Sequence, residues 1–416
     1  MKRVVIVICD GLRADMVGEE FTPNLMRIAA SGVQCVSHGG VFPSTTRTTA
    51  ASIATGCLPK SHGLQGNAVA LDHGEGLKVY SVGPPQFRDL LFEAKGRTLK
   101  VPTMSERVKD QGGAMIFANA SPGAGIFLDP DGYGHMIHRD MATGPGRVTL
   151  EPHGVSHDAA GDAALAQRFI DEVLHDRKPA VSLMWMCEPD HTQHGVALGS
   201  PAHIDVVRAA DAQAGRVFDN IRSDIDSGDV LFIVASDHGH ETVREVVDLE
   251  TLLIEAGLKD APGSSDVAIA PQGLSATIYL SAAAKGRRDI IADLLRKDGR
   301  IGAVYAGDEM AELGLDPDDG IDIVAVGMAD NLSLDGSLPG SSVAFQGDMK
   351  ISNNVGCGQH GGLGAYEQSP FLILAGSGFM PGTTIADKTS AIDIAPTAMA
   401  HLGLAADDMD GRALQG

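Results

Sequence analysis

Residues 4–11 read VVIVICDG: six apolar residues, Val4 to Cys9, end abruptly at Asp10 and Gly11. A short apolar run without alternation is typical of a parallel strand that is covered on both faces. Four further runs share this character, and we expect strands at residues 114–118, 181–187, 230–235 and 371–375. Longer helical patterns separate them. The sequence therefore predicts an α/β fold with a mostly parallel central sheet flanked by helices.

Capping signals and apolar spacing mark the helices. Thr22 and Pro23 have the pattern of an N-cap followed by a first-turn proline. Thr103 and Glu106 form a capping-box pattern before another helix. Residues 204–221 repeat apolar side chains at helical spacing, which predicts a third helix.

The pattern changes between residues 244 and 351, which are rich in Gly, Asp and Ala and contain weaker strands such as 276–280 and 321–326. We expect this stretch to form a smaller α+β cap inserted into the main fold. Residues 1–243 and 352–416 would then form the catalytic core.

The charge balance excludes some partners. The chain has 32 Lys and Arg against 54 Asp and Glu, a net charge of −22 at pH 7. Such a surface repels nucleic-acid polymers and anionic membranes. Five cysteines without paired CxxC spacing predict neither a disulfide framework nor a cysteine zinc site. No secretory leader and no apolar stretch of spanning length is evident, so we expect a cytoplasmic protein.

Candidate metal ligands follow or precede the predicted strands. They are Asp10, Asp190, His194, Asp237, His238 and His360. Because open parallel sheets bind ligands where their strands end, we expect these side chains to meet at one edge. Each alone has a common alternative as a turn former or helix cap, but their joint occurrence indicates a metal site. Mixed Asp and His ligands suit zinc or manganese, whereas calcium and magnesium prefer oxygen ligands.

Further motifs occur in a fixed order. They are residues 8–11 (ICDG), 22–25 (TPNL), 42–46 (FPSTT), 55–56 (TG), 188–190 (EPD), 236–239 (SDHG), 360–362 (HGG) and 393–397 (DIAPT). In these motifs the sequence resembles the alkaline-phosphatase superfamily and, within it, the type I phosphodiesterase/nucleotide pyrophosphatase family, which includes phosphonoacetate hydrolases. The resemblance runs over nearly the whole chain and implies an alkaline-phosphatase-like core.

The resemblance also implies two divalent metal ions, zinc first and manganese as the alternative. The implied ligands are Asp190, His194 and His360 for one ion, and Asp10, Asp237, His238 and Thr46 for the other. The family's nucleophile lies nine residues before the Thr of its Thr-Gly pair, which selects Thr46. An Asn that contacts a phosphoryl oxygen lies twenty-one residues after the nucleophile, which selects Asn67.

Physical chemistry explains these residue types. A threonine hydroxyl is a poor nucleophile at neutral pH, but coordination to a dication lowers its pKa. Two ions about 4 Å apart bridge the attacking and departing groups. If Thr46 begins a helix that runs through Ala54 and ends at Gly56, the helix dipole favours an anion there. We expect a hydrolase that cleaves phosphodiester or phosphonate bonds of a small soluble substrate through a phosphothreonine intermediate on Thr46.

Two departures from the family leave the substrate open. Residues 47–49 (RTT) follow the nucleophile, where nucleotide pyrophosphatases commonly have Phe-Pro-Asn, and residues 119–123 (NASPG) stand where phosphonoacetate hydrolases use two lysines to hold the substrate carboxylate. Arg47 suits an anionic group, because its planar guanidinium matches carboxylate and phosphate. His138 and Arg139 are further candidates for substrate contact.

Alternatives remain at this point: a phosphonoacetate hydrolase that cleaves a C–P bond, a phosphomutase of the same superfamily, and a non-catalytic metal-binding scaffold. Residues 57–60 (CLPK) are similar to the sulfatase motif, but the Thr-Gly pair precedes Cys57, which we interpret as a packing residue. The expected partner is a small anionic phosphorus compound, with no nucleic-acid polymer and no membrane; a homodimer is possible. We expect His62, His157, His175 and His401 to be surface or structural residues.

Overall fold

The computed structural model describes residues 2–334 and 336–415. Its central sheet has ten strands, in the spatial order β21 (Thr383–Ile385), β2 (Val33–Cys35), β20 (Leu372–Ala375), β11 (Val230–Ala235), β1 (Arg3–Cys9), β10 (Val181–Met186), β6 (Ala114–Ala118), β7 (His135–His138), β8 (Ala142–Gly144) and β9 (Val148–Leu150). The five strands from β11 to β7 are parallel to one another, and β20 runs antiparallel to β11. The predicted α/β fold with a mostly parallel central sheet is confirmed.

Alternate residues of β1 pack into different cores. Val4 and Ile6 belong to the core on one face of the sheet, and Val5 and Val7 to the core on the other. Both faces are thus covered, which explains why β1 is apolar throughout.

Twelve α-helices are described, and the four that the sequence predicted are among them. They are α1 (Pro23–Ala30), α2 (Thr46–Thr55), α3 (Pro59–His62), α4 (Pro85–Lys95), α5 (Met104–Val108), α6 (Pro122–Leu128), α7 (Ala159–Arg168), α8 (Asp190–Gln193), α9 (Pro201–Asp226), α10 (Leu249–Glu255), α11 (Arg288–Lys297) and α12 (Ile394–Leu402). Thr103 is the N-cap of α5 and accepts from the Glu106 N–H. None of the described helices is long and apolar enough to span a membrane.

Two smaller sheets are built largely from the predicted insert. One contains β17 (Ala329–Asp330), β18 (Ser341–Gln346), β12 (Glu241–Asp248) and β19 (Gly358–Gln359); the other contains β13 (Val267–Pro271), β14 (Ser275–Leu280), β16 (Ile323–Gly327) and β15 (Ile301–Ala306). Two short ladders pair β4 (Ala68–Asp72) with β5 (Leu77–Ser81) and β3 (His38–Gly39) with β22 (Thr389–Ser390).

The predicted boundary at 243/244 falls within β12, and that at 351/352 falls between β18 and β19. The first of the smaller sheets therefore takes strands from both sides of the proposed division, which stays a prediction. Met1, Asp335 and Gly416 belong to the predicted ranges but lie outside the described residues.

Candidate active site

The predicted ligands meet at one edge of the central sheet. Asp10 follows β1, Asp190 begins α8 after β10, and Asp237 follows β11. Thr46 is the first residue of α2. Because β20 is antiparallel, the chain enters it from the edge at which the parallel strands end, and the segment before it brings His360 to the same place. Antiparallel pairing of β20 is therefore what completes the site.

Asp10, Thr46, Asp237 and His238 form an inner cluster. The His238 Nε2 atom lies 3.2 Å from Thr46 Oγ1 and 3.1 Å from Asp237 Oδ2. It lies 3.6 Å from Asp10 Oδ1. All four side chains are buried. Four potential ligand atoms thus converge where bulk water has little access.

Asp190, His194, His240 and His360 form an outer cluster centred on Asp190 Oδ1. That oxygen lies 2.8 Å from His240 Nε2, 3.3 Å from His194 Nε2 and 3.5 Å from His360 Nε2. The side chains of His194 and Asp190 are 30% and 18% exposed, so these two members of the cluster are partly open to solvent, whereas His240 and His360 are buried. The stacked rings of His238 and His360, with centroids 3.7 Å apart, join the two clusters.

Two imidazoles are oriented as metal ligands. His238 Nδ1 lies 3.0 Å from the Gly239 carbonyl oxygen, and His360 Nδ1 lies 2.7 Å from that of Ser44. Each Nδ1–H can donate to the main chain, which leaves the Nε2 lone pair facing the clusters. This is the arrangement usual for histidines that ligate metals.

Two carboxylate oxygens of the inner cluster are also candidates to bind a cation. Asp10 Oδ1 and Asp237 Oδ2 are buried, and neither has a hydrogen-bond partner among the described residues. Such atoms are costly to bury unless a positive charge compensates them. Two groups of side chains offer ligand atoms that lie within 4.8 Å of one another: Asp10, Asp237 and His238, and Asp190, His238, His240 and His360. The residues therefore fit divalent ions with mixed nitrogen and oxygen ligands.

The electrostatics agree with that fit. Burial, together with the carboxylates of Asp237 and Asp190, raises the pKa of Asp10 well above its usual value. Burial alone would lower the pKa of His238, but Asp237 outweighs it and raises that pKa to about 9. Burial opposes ionisation of Asp190 too, but the imidazoles of His194 and His240 outweigh it and lower the pKa of Asp190 well below the usual range. The centre favours positive charge, which a proton or a metal ion can supply.

Helix α2 presents Thr46 at its positive end. The helix runs from Thr46 to Thr55 and ends at Gly56, which adopts the left-handed conformation with φ of 69°. The predicted helix is confirmed. Because first-turn N–H groups lack partners within the helix, its N-terminus favours an anion.

Asn67 lies beside the nucleophile. The Arg47 N–H donates to Asn67 Oδ1 at 3.3 Å, so the first turn of α2 holds the amide oxygen of Asn67. Asn67, His194 and His360 line the same pocket, of about 410 Å³. The Asn67 amide is thus placed to donate to a ligand in that pocket.

His240 belongs to the outer cluster, although the sequence did not predict it. It is fully buried, and burial lowers its pKa to about 3 although Asp190 opposes the shift. Gly11 and Gly358 make room for the ring, since an added Cβ would lie only 2.9 Å or 2.8 Å from its nitrogens. The signal was available: His240 comes two residues after His238, and in extended backbone such side chains point to the same side.

The buried carboxylate of Glu367 stabilises the loops that carry Thr46 and His360. The Ser44 hydroxyl donates to Glu367 Oε2 at 2.7 Å and accepts the Gly361 N–H at 2.8 Å. Burial, with the nearby Glu241, raises the pKa of Glu367 to about 7. No motif in the sequence indicates this contact.

His138 and Arg139 lie outside both clusters. His138 is fully buried, and its Nε2 atom lies 2.9 Å from the Ala120 carbonyl oxygen. Arg139 Nη1 donates to the same oxygen at 2.7 Å. Both side chains thus hold the segment after β6 through its main chain.

Of the remaining histidines, His62 and His401 are buried. The His157 ring packs on that of His191, with centroids 4.1 Å apart, in a pocket that Thr46 also lines. Cys57 is buried in the core beside α2, as expected of a packing residue.

Comparisons with known proteins bear on this site. A family model described as type I phosphodiesterase/nucleotide pyrophosphatase matches residues 4–330. A curated protein of Schizosaccharomyces pombe, an uncharacterized pyrophosphatase/phosphodiesterase, is 39% identical over 64 residues. That match covers 15% of this chain and only 13% of the length of the yeast protein.

Solved structures share the fold over almost the whole chain. Murine ectonucleotide pyrophosphatase/phosphodiesterase 5, an inactive threonine-to-alanine variant in complex with AMP, superimposes with a TM-score of 0.70 at 20% identity and covers 99% of this chain and 97% of its own. Phosphonoacetate hydrolase from Sinorhizobium meliloti 1021, in complex with phosphonoformate, gives a TM-score of 0.69 at 18% identity, with 96% and 95% covered.

The matched range contains both clusters except His360. The predicted fold class, family and general class of enzyme are confirmed. The chain belongs to the type I phosphodiesterase/nucleotide pyrophosphatase family.

Proposed function

We propose that this chain is a metal-dependent hydrolase that cleaves phosphodiester or phosphonate bonds of a small anionic substrate, with Thr46 as the nucleophile. One observation carries the proposal: Thr46 Oγ1 lies at the N-terminus of α2, 3.2 Å from His238 Nε2 and inside the inner cluster. A hydroxyl in this place meets both needs of such a nucleophile, a route to deprotonation and a positive field for the incoming anion.

The neighbouring structures support this choice of substrate class. The murine protein was solved with AMP and the bacterial one with phosphonoformate, both small phosphorus compounds. The murine form is inactive and carries a threonine-to-alanine change. This is consistent with a threonine that is essential to the reaction.

The reaction proceeds in two displacements. Deprotonated Thr46 Oγ1 forms a bond to phosphorus while the bond to the leaving oxygen or carbon breaks, and the leaving group keeps the electron pair and is then protonated. The resulting phosphothreonine retains the second ester group if the substrate is a diester. A water oxygen then bonds to the same phosphorus and releases a proton, while the bond from phosphorus to Thr46 Oγ1 breaks and Oγ1 departs with its electron pair.

The chain's own groups stabilise the charge that develops. Asn67 Nδ2 and the Thr46 N–H at the start of α2 are proposed to donate to phosphoryl oxygens, each such donor being worth about 10²–10³ in rate. Zinc ions, or manganese as the alternative, would lower the pKa of the Thr46 hydroxyl and neutralise phosphoryl charge. The residues proposed to hold them are Asp10, Thr46, Asp237 and His238 for one ion and Asp190, His194 and His360 for the other.

Residues 244–351 are proposed to act as a cap. Gln272 and Lys350, from this stretch, line the pocket beside His194. The five cysteines are all unpaired, which is consistent with the proposed cytoplasmic location. A homodimer is the assembly to test by light scattering.

The proposal is tested with purified protein loaded with zinc or manganese. Hydrolysis is measured on bis-p-nitrophenyl phosphate, p-nitrophenyl phosphate and phosphonoacetate, in the wild-type protein and in Thr46→Ala and Thr46→Ser. We expect turnover of the diester or the phosphonate, loss of at least about 10⁴-fold in Thr46→Ala, and partial activity in Thr46→Ser. Turnover that survives in Thr46→Ala would overturn the assignment of the nucleophile.

A further inference from the structure

The side chain of Arg47 lies in a slot between two glycines. A Cβ added to Gly83 would lie 3.0 Å from Arg47 Nη2, and one added to Gly123 would lie 2.9 Å from Arg47 Cδ. Neither glycine has a positive φ, so conformational freedom does not explain them. The space they leave is taken by Arg47.

The guanidinium in this slot lacks a partner. Arg47 Nε is buried without a hydrogen-bond partner among the described residues. Its main-chain N–H is bonded to Asn67 Oδ1, which fixes the start of the side chain. The carboxylates of Asp190 and Asp10 act on the guanidinium only from a distance. A partly buried cation without a direct partner is costly, so this arrangement favours the binding of an anion.

Arg13 shows how the same fold treats a structural arginine. Arg13 is fully buried, and its guanidinium donates to Asp15 Oδ1 and Oδ2 at 2.9 Å and 2.5 Å. It also donates to the Pro339 carbonyl oxygen and lies 4.1 Å from the centroid of the Tyr366 ring. Arg47 has no comparable set of contacts, which argues against a purely structural role.

The direction of Arg47 indicates what it could bind. Arg47 lines the same 410 Å³ pocket as Asn67, His194 and His360. Thr46 lines a neighbouring pocket, and His194 belongs to both, so the guanidinium lies across His194 from the nucleophile. None of the described residues that line this pocket is Phe, Tyr or Trp. The pocket thus offers charge and hydrogen bonds in place of an aromatic platform for a nucleobase.

Building on the proposed function, we propose that Arg47 selects substrates that carry a second anionic group, a carboxylate or a phosphate, beyond the phosphorus that Thr46 attacks. Asn67 and α2 hold the reacting phosphoryl group, and the guanidinium in the glycine slot binds the second group in a bidentate manner. The preferred substrates are small molecules such as phosphonocarboxylates or compounds with two phosphate groups.

The test compares pairs of compounds that differ in one anionic group. Binding to the zinc-loaded protein is measured by calorimetry for phosphonoacetate against methylphosphonate, and for pyrophosphate against phosphate. We expect at least about a tenfold preference for the member with the second group in one pair, and that pair identifies the group as carboxylate or phosphate.

Four variants assign this preference to Arg47. Arg47→Met is expected to abolish the preference while the affinity for the simpler member changes less than about threefold, and Arg47→Lys to keep part of it. Gly83→Ala should reduce it as well, because the new methyl group displaces the guanidinium. Lys78→Met, which removes the same charge from the exposed face of β5, should leave it intact.

The outcomes separate this inference from the proposed function. If neither bis-p-nitrophenyl phosphate nor phosphonoacetate is hydrolysed in a manner that depends on Thr46, the proposed function fails. If either is hydrolysed, but neither pair shows a preference or the preference survives in both Arg47→Met and Gly83→Ala, the inference about Arg47 alone is wrong.

Discussion

The inner and outer clusters use the same kinds of side chain in different surroundings. In the inner cluster every side chain is buried, and Thr46 lies in contact with His238. In the outer cluster the side chains of His194 and Asp190 remain partly exposed to solvent, and His194 lines the 410 Å³ pocket. The enclosed half suits the activation of a nucleophile, and the open half suits the entry of substrate and the departure of a leaving group.

The largest expected effect separates the two clusters directly. Asp237→Asn should lower kcat/KM by about 10⁴-fold or more, because it removes a charge from the centre that activates Thr46. His194→Gln should cost about 10²-fold, since solvent can replace an exposed ligand. Steady-state kinetics with bis-p-nitrophenyl phosphate provide the measurement, and Asp226→Asn, at the exposed end of α9, is the control. Equal losses in the two variants would remove the distinction between the clusters.

A smaller loss of activity is expected when Asn67, which lies between Thr46 and the pocket, is changed. Asn67→Ala should lower kcat by about 10²–10³-fold with little change in KM, because the lost donor acts mainly on charge that develops during the reaction. Asn67→Asp, of the same size but negatively charged, should lose at least as much. A change confined to KM would show that Asn67 binds the ground state instead.

His240 allows the outer cluster to be weakened without touching a predicted ligand. His240→Gln should lower the affinity of one of two bound zinc ions by about 10–100-fold, because Asp190 loses a buried partner that orients it. Chelator competition followed by metal analysis reports this affinity, and the exposed His73 supplies the control His73→Gln. Unchanged affinity for both ions would remove His240 from the metal centre.

The smallest expected effect is on the pH dependence of folding stability, and it comes from His62, next to α2. His62 is buried, its Nε2 atom lies 2.9 Å from Ser52 Oγ in α2, and burial lowers its pKa to about 3. Its unfolded-state pKa is about 6.5, so the stability that the neutral imidazole gives is present above pH 6.5 and is lost as the pH falls towards 3. Between pH 6.5 and pH 5 the contribution of His62 to the free energy of unfolding should fall by about 2 kcal/mol.

Urea unfolding at these two pH values tests this expectation. In the wild type the free energy of unfolding falls between pH 6.5 and pH 5. In His62→Gln this fall should be smaller by about 2 kcal/mol, whereas in His73→Gln it should equal that of the wild type. The same pH slope in both variants would show that His62 does not contribute it.

The sequence predicted most of what lies on the central sheet. The apolar runs of β1, β6, β10 and β11 were recognisable because strands covered on both faces need no alternation. The ligands follow from those strands, since a residue just past a strand end has a defined place in space. The antiparallel direction of β20 could not be read from its residues, although it is what brings His360 to the site.

Features that depend on side-chain packing were harder to predict. The role of Glu367 rests on a hydrogen bond to Ser44, which is 323 positions away in the chain. His240 was overlooked because its neighbour His238 already accounted for the motif. His138 and Arg139 suggested substrate contacts by residue type alone, whereas their direction, towards the Ala120 carbonyl, depends on the turn after β7.

In the proposed reaction Thr46 carries the phosphoryl group between the two displacements. The most direct test is to quench the metal-loaded protein with acid during turnover of bis-p-nitrophenyl phosphate and to locate the modified residue by peptide mass spectrometry. We predict that the phosphoryl part of the substrate is found on Thr46 and is absent from Thr46→Ala. Modification of a different side chain, or turnover with no covalent species at any quench time, would contradict the account.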